Sequence, residues 1–311
     1  MAFPIVGQSA LGFRTFFGTW IAPGARVTFC GPAGVFEDTF TENNRVTTLN
    51  AALARCRSGK GDVVILLPGY TENVTTADFY TSLVAGTKII GMEPLGSTLM
   101  PTLTFTDTAS TFLLDVSNVT LHGVKFTAGV DALANFVTVS ASGCRISGCV
   151  FLGGTGTSND PDVPLIIATG ASDFTLEGNK FLSVGAAVNT NLVLASGTGL
   201  NGLEIKNNYF YGSCATTGLI NITGTSQCFQ ISDNVLHQLT ATTPIGIRHT
   251  DTALTGVICN NRIAFTTDVT VLTAAISAVG VATANVRYIE NYSSDEDSLG
   301  GVLVPTATGL E

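Results

Sequence analysis

An eight-residue segment with the same alternation of apolar and polar residues occurs seven times between residues 119 and 293. The copies are VTLHGVKF (119–126), CRISGCVF (144–151), FTLEGNKF (174–181), LEIKNNYF (203–210), FQISDNVL (229–236), VICNNRIA (257–264) and VRYIENYS (286–293). Successive copies end 25 to 30 residues apart. A recurring period of this length is the signature of a repeat architecture, in which each unit packs on its neighbours.

The residue types at each position of the segment indicate which side chains are buried. The first and third positions are uncharged and mostly apolar, whereas the second and fourth carry most of the polar and charged groups, which predicts a strand with one buried face. The fifth position is dominated by glycine, asparagine and aspartate, residue types that tolerate a left-handed backbone. We therefore expect a bend there, after which the eighth position returns to the core.

Asparagine occupies the sixth position of three consecutive copies, at Asn179, Asn208 and Asn234. Two interpretations are open at this point. The side-chain amides form a ladder of hydrogen bonds from coil to coil, or the asparagines reflect simple turn propensity.

A second apolar segment precedes each copy, so that each repeat contains about three short strands. These segments are residues 111–116, 135–140, 164–169, 191–196, 218–223, 244–249 and 274–279. Wound into a coil, such strands form a parallel β-helix, and the chirality rule for parallel connections makes it right-handed. The sequence thus predicts an all-β chain with a single right-handed parallel β-helix of about nine coils.

The chain before the repeats divides into two parts. Residues 44–61 place apolar side chains at helical spacing and predict a short amphipathic helix that caps the open end of the solenoid. Residues 1–43 match no repeat and contain the aromatic run Phe13, Phe16, Phe17 and Trp20. This segment is either a cap folded on the solenoid or an arm that docks on a partner, and we divide the chain into an N-terminal arm, 1–43, and a β-helix domain, 44–311.

Residues 62–74, DVVILLPGYTENV, resemble the first coil of the pectin-lyase-like superfamily of right-handed β-helices, with a hydrophobic strand, a Pro-Gly bend, an aromatic residue and an acidic residue. The segments TKIIGMEP (87–94) and NVTLHGVKF (118–126) are similar to the next coils of that group. The resemblance covers residues 44–311 and implies the fold. It leaves the function open, because the superfamily includes polysaccharide lyases, glycoside hydrolases, bacteriophage tailspikes and virion surface proteins without catalytic activity.

Catalytic residues are sought among the outward-facing positions. Glu177 and Lys206 occupy one column on adjacent coils, Glu204 lies one column away and Tyr209 follows the bend, so these four residues are the candidate carbohydrate or surface site. The alternative is a set of ordinary surface ion pairs. The loop carboxylates Asp160 and Asp162 fit a turn better than the acid pair of a glycosidase. We assign no catalytic residue, metal site or cofactor.

Arg248, His249 and Asp251 form the only tight cluster of a basic, an imidazole and an acidic residue in the sequence. Histidine titrates near neutral pH, so a cleft at this point would support proton transfer. No serine or cysteine nucleophile accompanies the cluster, which favours an ordinary coil edge.

Charge and composition exclude several classes of partner. A net charge of −9, with 14 basic residues scattered along the chain, argues against nucleic-acid binding. No apolar stretch is long enough for a membrane span.

The cysteines and the first residues indicate where the chain is made. The seven cysteines show no metal-ligand spacing and are expected to be reduced. The first residues do not resemble an export signal, and together these features predict synthesis in a cytosol.

The seventh position of the repeat is expected to face outward and becomes apolar towards the C-terminus. We predict that Val235, Ile263 and Tyr292, together with Ile258 and Ile289, form an exposed apolar strip. Such a strip is larger than a soluble monomer usually exposes, which favours burial against sister subunits in a homotrimer. Coverage by loops between coils is the alternative.

These observations and the resemblance together lead to an expected function. We expect a non-enzymatic bacteriophage virion structural protein, a homotrimeric capsid decoration (cement) protein on the virion surface that is synthesised in the host cytoplasm. Its partners would be itself and, through the arm, the major capsid protein or another virion protein. The alternative is a tailspike-like depolymerase, a lyase or glycoside hydrolase, that binds a host surface glycan.

Overall fold

The computed structural model describes residues 22–31, 45–76, 80–153, 161–183, 189–214, 217–239, 245–250, 253–265, 275–279 and 285–293. Short strands dominate these residues, with a single five-residue helix among them, α1 (Leu49–Leu53). The strands are β1 (Val27–Cys30), β2 (Arg45–Val46), β3 (Val63–Leu66), β4 (Thr71–Val74), β5 (Lys88–Gly91), β6 (Thr102–Phe105), β7 (Phe112–Leu114), β8 (Thr120–His122), β9 (Lys125–Ala128), β10 (Val137–Val139), β11 (Arg145–Ser147), β12 (Val150–Leu152), β13 (Leu165–Ile167), β14 (Thr175–Glu177), β15 (Lys180–Leu182), β16 (Val193–Ala195), β17 (Glu204–Lys206), β18 (Tyr209–Gly212), β19 (Ile220–Ile222), β20 (Phe229–Ser232), β21 (Val235–Gln238), β22 (Ile247–His249), β23 (Thr255–Cys259), β24 (Arg262–Phe265), β25 (Ile276–Ala278), β26 (Asn285–Ile289) and β27 (Tyr292–Ser293).

The strands form three parallel sheets around one apolar core. Sheet A has the order β2-β1-β3-β5-β8-β11-β14-β17-β20-β23-β26, sheet B has β27-β24-β21-β18-β15-β12-β9-β6-β4, and sheet C has β25-β22-β19-β16-β13-β10-β7. Each repeat contributes one strand to sheet C, then one to A and one to B. The predicted parallel β-helix is confirmed, and the described residues form seven turns that contain all three strands, where about nine coils were predicted. Its right-handed sense remains a prediction from the chirality rule.

The predicted bend is confirmed at the fifth position of six repeats, and in the sixth repeat it lies at Asn260, one residue before the predicted Asn261. The residues there have φ between 51° and 69°: Gly123, Gly148, Gly178, Asn207, Asp233, Asn260 and Glu290. This left-handed backbone directs the chain from sheet A into sheet B within two residues. Glycine, asparagine and aspartate adopt it at low steric cost, which explains the residue types at this position.

The asparagines at the sixth position form a buried ladder, which decides between the two interpretations left open by the sequence. The Nδ2 of Asn179 donates to Oδ1 of Asn208 at 3.0 Å, and the same contact joins Asn208 to Asn234 at 3.0 Å. The ladder continues through Asn261 to Asn291, with both further contacts at 2.9 Å. All five side chains are almost fully buried. The Oδ1 atom of each later asparagine also accepts a hydrogen bond from the backbone N–H of the asparagine one coil before it. The ladder therefore provides partners for both side-chain and backbone polar groups that are buried at the bend.

Phenylalanine rings at the eighth position stack along the core. The ring centroids of Phe126 and Phe151 are 4.9 Å apart, those of Phe151 and Phe181 are 4.3 Å apart, and those of Phe181 and Phe210 are 4.8 Å apart. The interplanar angles are 20° or less, because identical positions on parallel strands lie directly above one another.

The sixth repeat begins one residue earlier than the sequence alignment suggested. Gly256, and not Val257, pairs with Phe229 at the first position, which puts Ile258 and Ile263 in the core and Cys259 and Arg262 on the outside. A Cβ atom at residue 256 would lie 2.3 Å from the Phe229 carbonyl oxygen and 2.6 Å from its ring. Only glycine fits there, so the apolar signal at the first position is missing.

The N-terminal part of the solenoid extends into the segment predicted as an arm. Strand β1 lies between β2 and β3 in sheet A, so residues Val27–Cys30 of the predicted arm are built into the sheet. Helix α1 buries Leu49, Ala52 and Leu53 against the core, but it is much shorter than residues 44–61. Its role as a cap of the open end remains a prediction. The aromatic run Phe13, Phe16, Phe17 and Trp20 lies outside the described residues.

Candidate functional site

The charged residues predicted as a surface site lie on the outer face of sheet A. Glu177 and Lys206 are register neighbours on β14 and β17, as predicted, but they do not pair with each other in an ion pair. Arg145 binds Glu177 at 2.5 Å, and Lys206 binds Glu204 on its own strand at 2.7 Å. Both carboxylates are therefore engaged by cations at a partly exposed surface, where such pairs contribute little to stability.

Tyr209 is separated from these three residues by the bend. It lies on β18 in sheet B, and its side chain is 36% exposed on a different face of the solenoid. The four predicted residues thus do not form one site: three are on sheet A and one is on sheet B.

The outer face of sheet B carries aromatic and basic side chains. Along its described strands, the outward positions are Thr71, Asn73, Thr102, Thr104, Lys125, Thr127, Val150, Leu152, Lys180, Leu182, Tyr209, Tyr211, Val235, His237, Arg262, Ala264 and Tyr292. None of these positions is a carboxylate, although the whole chain has a net charge of −9. The rings of Tyr211 and His237 meet edge to face at 5.2 Å. Tyr211 and His237 are not among the predicted site residues, and extending the alternation one residue past the eighth position would have placed both on this face.

The predicted oligomer strip is partly wrong. Val235 and Tyr292 are exposed, at 38% and 47%, but Ile263 is only 2% exposed because the sixth repeat is shifted by one residue. Ile258 is also in the core, whereas Ile289 is exposed as predicted. Arg262 takes the outward position between Val235 and Tyr292.

His249 points into the core and does not line a surface cleft. Its Nε2 lies 2.5 Å from the hydroxyl of Tyr288, and its Nδ1 has no hydrogen-bond partner among the described residues. Burial lowers the pKa of His249 to about 4 and raises the pKa of Tyr288 to about 12. Arg248 faces away from the core on the same strand, and Asp251 lies outside the described residues. The predicted cluster is therefore not brought together.

Three other features bear on chemistry. Within the described residues, no three His, Cys, Asp or Glu side chains are gathered in a way that would hold a metal ion. Across the same residues, no helix has the length and hydropathy needed to cross a membrane. All seven cysteines are free thiols, as expected from the sequence.

Comparisons with known proteins yield no relative: no protein-family model matches the chain, and no curated protein is similar to it. The parallel β-solenoid therefore stands on the structure itself, and the resemblance to the pectin-lyase-like superfamily remains an expectation from the sequence.

Replacing Glu177 with glutamine is expected to lower the free energy of unfolding by less than about 1 kcal/mol, since the pair with Arg145 is partly exposed and screened by solvent. Urea unfolding of Glu177→Gln and of the double variant Arg145→Gln/Glu177→Gln measures this. A loss well above that value, absent from Glu204→Gln as the matched control, would contradict the interpretation as a surface pair.

Proposed function

We propose that the chain is a non-enzymatic structural protein of a bacteriophage virion, a homotrimeric capsid decoration (cement) protein on the particle surface. The observation that carries the proposal is the exposed apolar and aromatic surface at the C-terminal half of the solenoid. Tyr209 and Val235 are register neighbours on sheet B, and Tyr292 lies two strands further along, beyond Arg262. Large apolar groups at neighbouring positions favour burial against another protein surface.

The state of the candidate acids supports a structural role. Glycosidases of this kind require two carboxylates placed on either side of a sugar bond, and lyases require a base beside a cation-bound uronate. In this chain Glu177 is held by Arg145 and Glu204 by Lys206. Neither carboxylate faces the aromatic outer face of sheet B. These pairings favour a surface that binds other proteins over one that cleaves a glycan.

The assignment to a virion rests on the resemblance of residues 44–311 to a superfamily that includes virion surface proteins. The partner contact is assigned to the aromatic run Phe13, Phe16, Phe17 and Trp20, which would insert into the major capsid protein or another shell protein. Aromatic residues, tryptophan in particular, commonly contribute much of the binding energy at protein interfaces.

The experiment that tests the proposal counts copies of the chain in purified particles, by quantitative mass spectrometry against the major capsid protein. A decoration protein is expected at a simple ratio to the shell subunit, with very many copies in each particle. A handful of copies would place the chain in a tail appendage, and absence from particles would overturn the virion role.

A second candidate function, glycan binding by a tailspike-like protein, is favoured by one observation. Tyr209, Tyr211 and Tyr292 lie on the outer face of sheet B near Lys180 and Arg262. Aromatic rings provide stacking surfaces for sugars, and the basic groups would attract acidic ones. The absence of carboxylates from the described outward positions of this face argues for binding without hydrolysis there. Binding of the purified chain to host surface polysaccharide, with no fall in its viscosity, is the expected result of this alternative.

Introducing charge into the exposed strip is expected to dissociate the trimer. In Val235→Lys/Tyr292→Lys, two lysines replace apolar side chains that would face a sister subunit, and burying these charges in the interface is unfavourable. The trimer should therefore dissociate to monomers, and the mass in solution should fall about threefold. Light scattering after size-exclusion chromatography measures this mass. Asn73→Lys, exposed on the same sheet at the N-terminal end, is the matched control and should remain trimeric. A wild-type chain that is monomeric at high concentration would refute the trimer.

A further inference from the structure

A pocket of about 510 Å³ opens at the N-terminal end of the solenoid, away from the surfaces described above. Residues 26–28, at the start of β1, form one wall, and residues 54–57, directly after α1, form the other. The volume is within the range of roughly 300–1,000 Å³ that is typical of small-molecule sites. The two walls are brought together by the fold, since they are almost thirty residues apart in the chain.

Asp62 holds the two walls in place. Its carboxylate is 1% exposed and accepts the backbone N–H of Arg26 at 2.7 Å and that of Arg57 at 2.8 Å. The Arg57 side chain adds contacts of 3.0 and 2.8 Å to the same carboxylate and donates to the Gly24 carbonyl at 2.9 Å. Burial alone would raise the pKa of Asp62, but these hydrogen bonds outweigh it and lower the pKa to about 2. The pocket is therefore preorganised by a carboxylate that stays ionised.

The lining of the pocket is positively charged. Arg26, Arg55 and Arg57 line the pocket, and none of its described lining residues is a carboxylate. Asp62 balances the charge of Arg57, whereas the exposed Arg26 forms no ion pair with any described residue. Burial, together with the nearby Asp62, raises the pKa of the Cys56 thiol to about 11, so this thiol is neutral near pH 7 and does not offset the arginines. Three arginines around one concave site are unusual in a chain with a net charge of −9.

We propose that this pocket binds a compact oxyanion with two or more negative charges, a polyphosphate or a polycarboxylate, through Arg26 and Arg55, with Arg57 and Asp62 as the rigid base. The planar guanidinium group presents paired N–H donors that match the spacing of phosphate and carboxylate oxygens. Walls already fixed by Asp62 reduce the entropy lost on binding. The site does not depend on the proposed trimer, because its residues are at the opposite end of the solenoid from the exposed strip.

Calorimetric titration of the full chain at low ionic strength tests the proposal, with pyrophosphate and citrate as the two probes. Saturable binding of one molecule per chain is expected, and the tighter probe identifies phosphate or carboxylate as the preferred group. In Arg26→Gln/Arg55→Gln the affinity should fall about tenfold or more, since charge-assisted hydrogen bonds are lost. This variant keeps the backbone contacts of Asp62 with residues 26 and 57, so the walls of the pocket should stay in place.

The matched control is Lys125→Gln/Lys180→Gln, which removes the same charge from the outer face of sheet B. It should bind both probes with an affinity within about twofold of the wild type, which separates a specific pocket from general attraction to a basic surface. Failure of both probes to bind would overturn the proposal. Equal weakening in both double variants, or unchanged binding in Arg26→Gln/Arg55→Gln, would also overturn it.

Discussion

Replacing Asn208 with alanine is expected to lower the free energy of unfolding by about 4 kcal/mol, because several buried polar groups lose their partners at once. Asn208 Oδ1 accepts two hydrogen bonds from Asn179, one from its backbone N–H at 2.9 Å and one from its side-chain Nδ2 at 3.0 Å. Asn208 Nδ2 donates to the Leu176 carbonyl at 2.9 Å and to Asn234 Oδ1 at 3.0 Å. Alanine supplies none of these contacts, and the interior of the bend excludes water that would replace them.

Urea unfolding measures this loss, and amide hydrogen exchange locates it. Asn73→Ala, at an exposed asparagine on β4, is the matched control and should change stability by less than about 0.5 kcal/mol. Asn208→Asp keeps an acceptor but removes the donor and buries a charge at neutral pH. We expect it to be at least as unstable as the alanine variant at pH 7 and to recover partly in acid. A loss below about 1 kcal/mol for Asn208→Ala would show that the ladder does not stabilise the fold.

The faces of the strands could be predicted from the sequence because side chains alternate with a period of two. The bends could be predicted because few residue types tolerate a positive φ. The register of the sixth repeat could not be predicted. Its first position is Gly256, because a side chain there would collide with Phe229 in the previous coil, and a glycine does not mark the position as apolar in the sequence. Shifting that repeat by one residue also brings Asn261 into the ladder, which the sequence alignment had placed at the bend.

The candidate sites were less predictable than the fold. The sequence correctly placed Glu177 beside Lys206, but side-chain rotamers decide that Glu177 turns to Arg145 instead. Tyr209 follows Lys206 by three residues and nevertheless faces another direction, because a left-handed residue intervenes. The N-terminal pocket joins Arg26 to Arg55 across the first turn, and no local pattern links residues so far apart in the chain.

His249 occupies an inward position of sheet C that is aliphatic in the five preceding coils. The register partners in this column are Leu114, Val139, Ile167, Ala195 and Ile222. A fully buried imidazole at such a position is stable only when neutral, and its only described hydrogen-bond partner is the hydroxyl of Tyr288. This pair therefore links the stability of the C-terminal coils to pH.

The free energy of unfolding is expected to fall by about 3 kcal/mol through His249 alone as the pH decreases from 6.5 to 4. Burial lowers the pKa of His249 from 6.5 to about 4 in the folded chain, so the unfolded chain takes up the proton first. The stability is fully present above pH 6.5 and is lost progressively down to pH 4. Burial also lowers the pKa of His122, which adds a dependence of the same sign.

The double variant His249→Leu/Tyr288→Phe isolates the contribution of His249, because it removes the imidazole without leaving the tyrosine hydroxyl unpaired. Urea unfolding at pH 7 and at pH 4 measures how much the free energy of unfolding decreases in acid. We expect this decrease to be about 3 kcal/mol smaller in the double variant than in the wild type. His237→Gln, at a half-buried histidine on the outer face of sheet B, is the matched control and should keep the wild-type dependence. If the double variant lost as much stability in acid as the wild type, His249 would be protonated in the folded chain. The C-terminal core would then admit water, which the full burial of His249 and of its register neighbour Ile222 argues against.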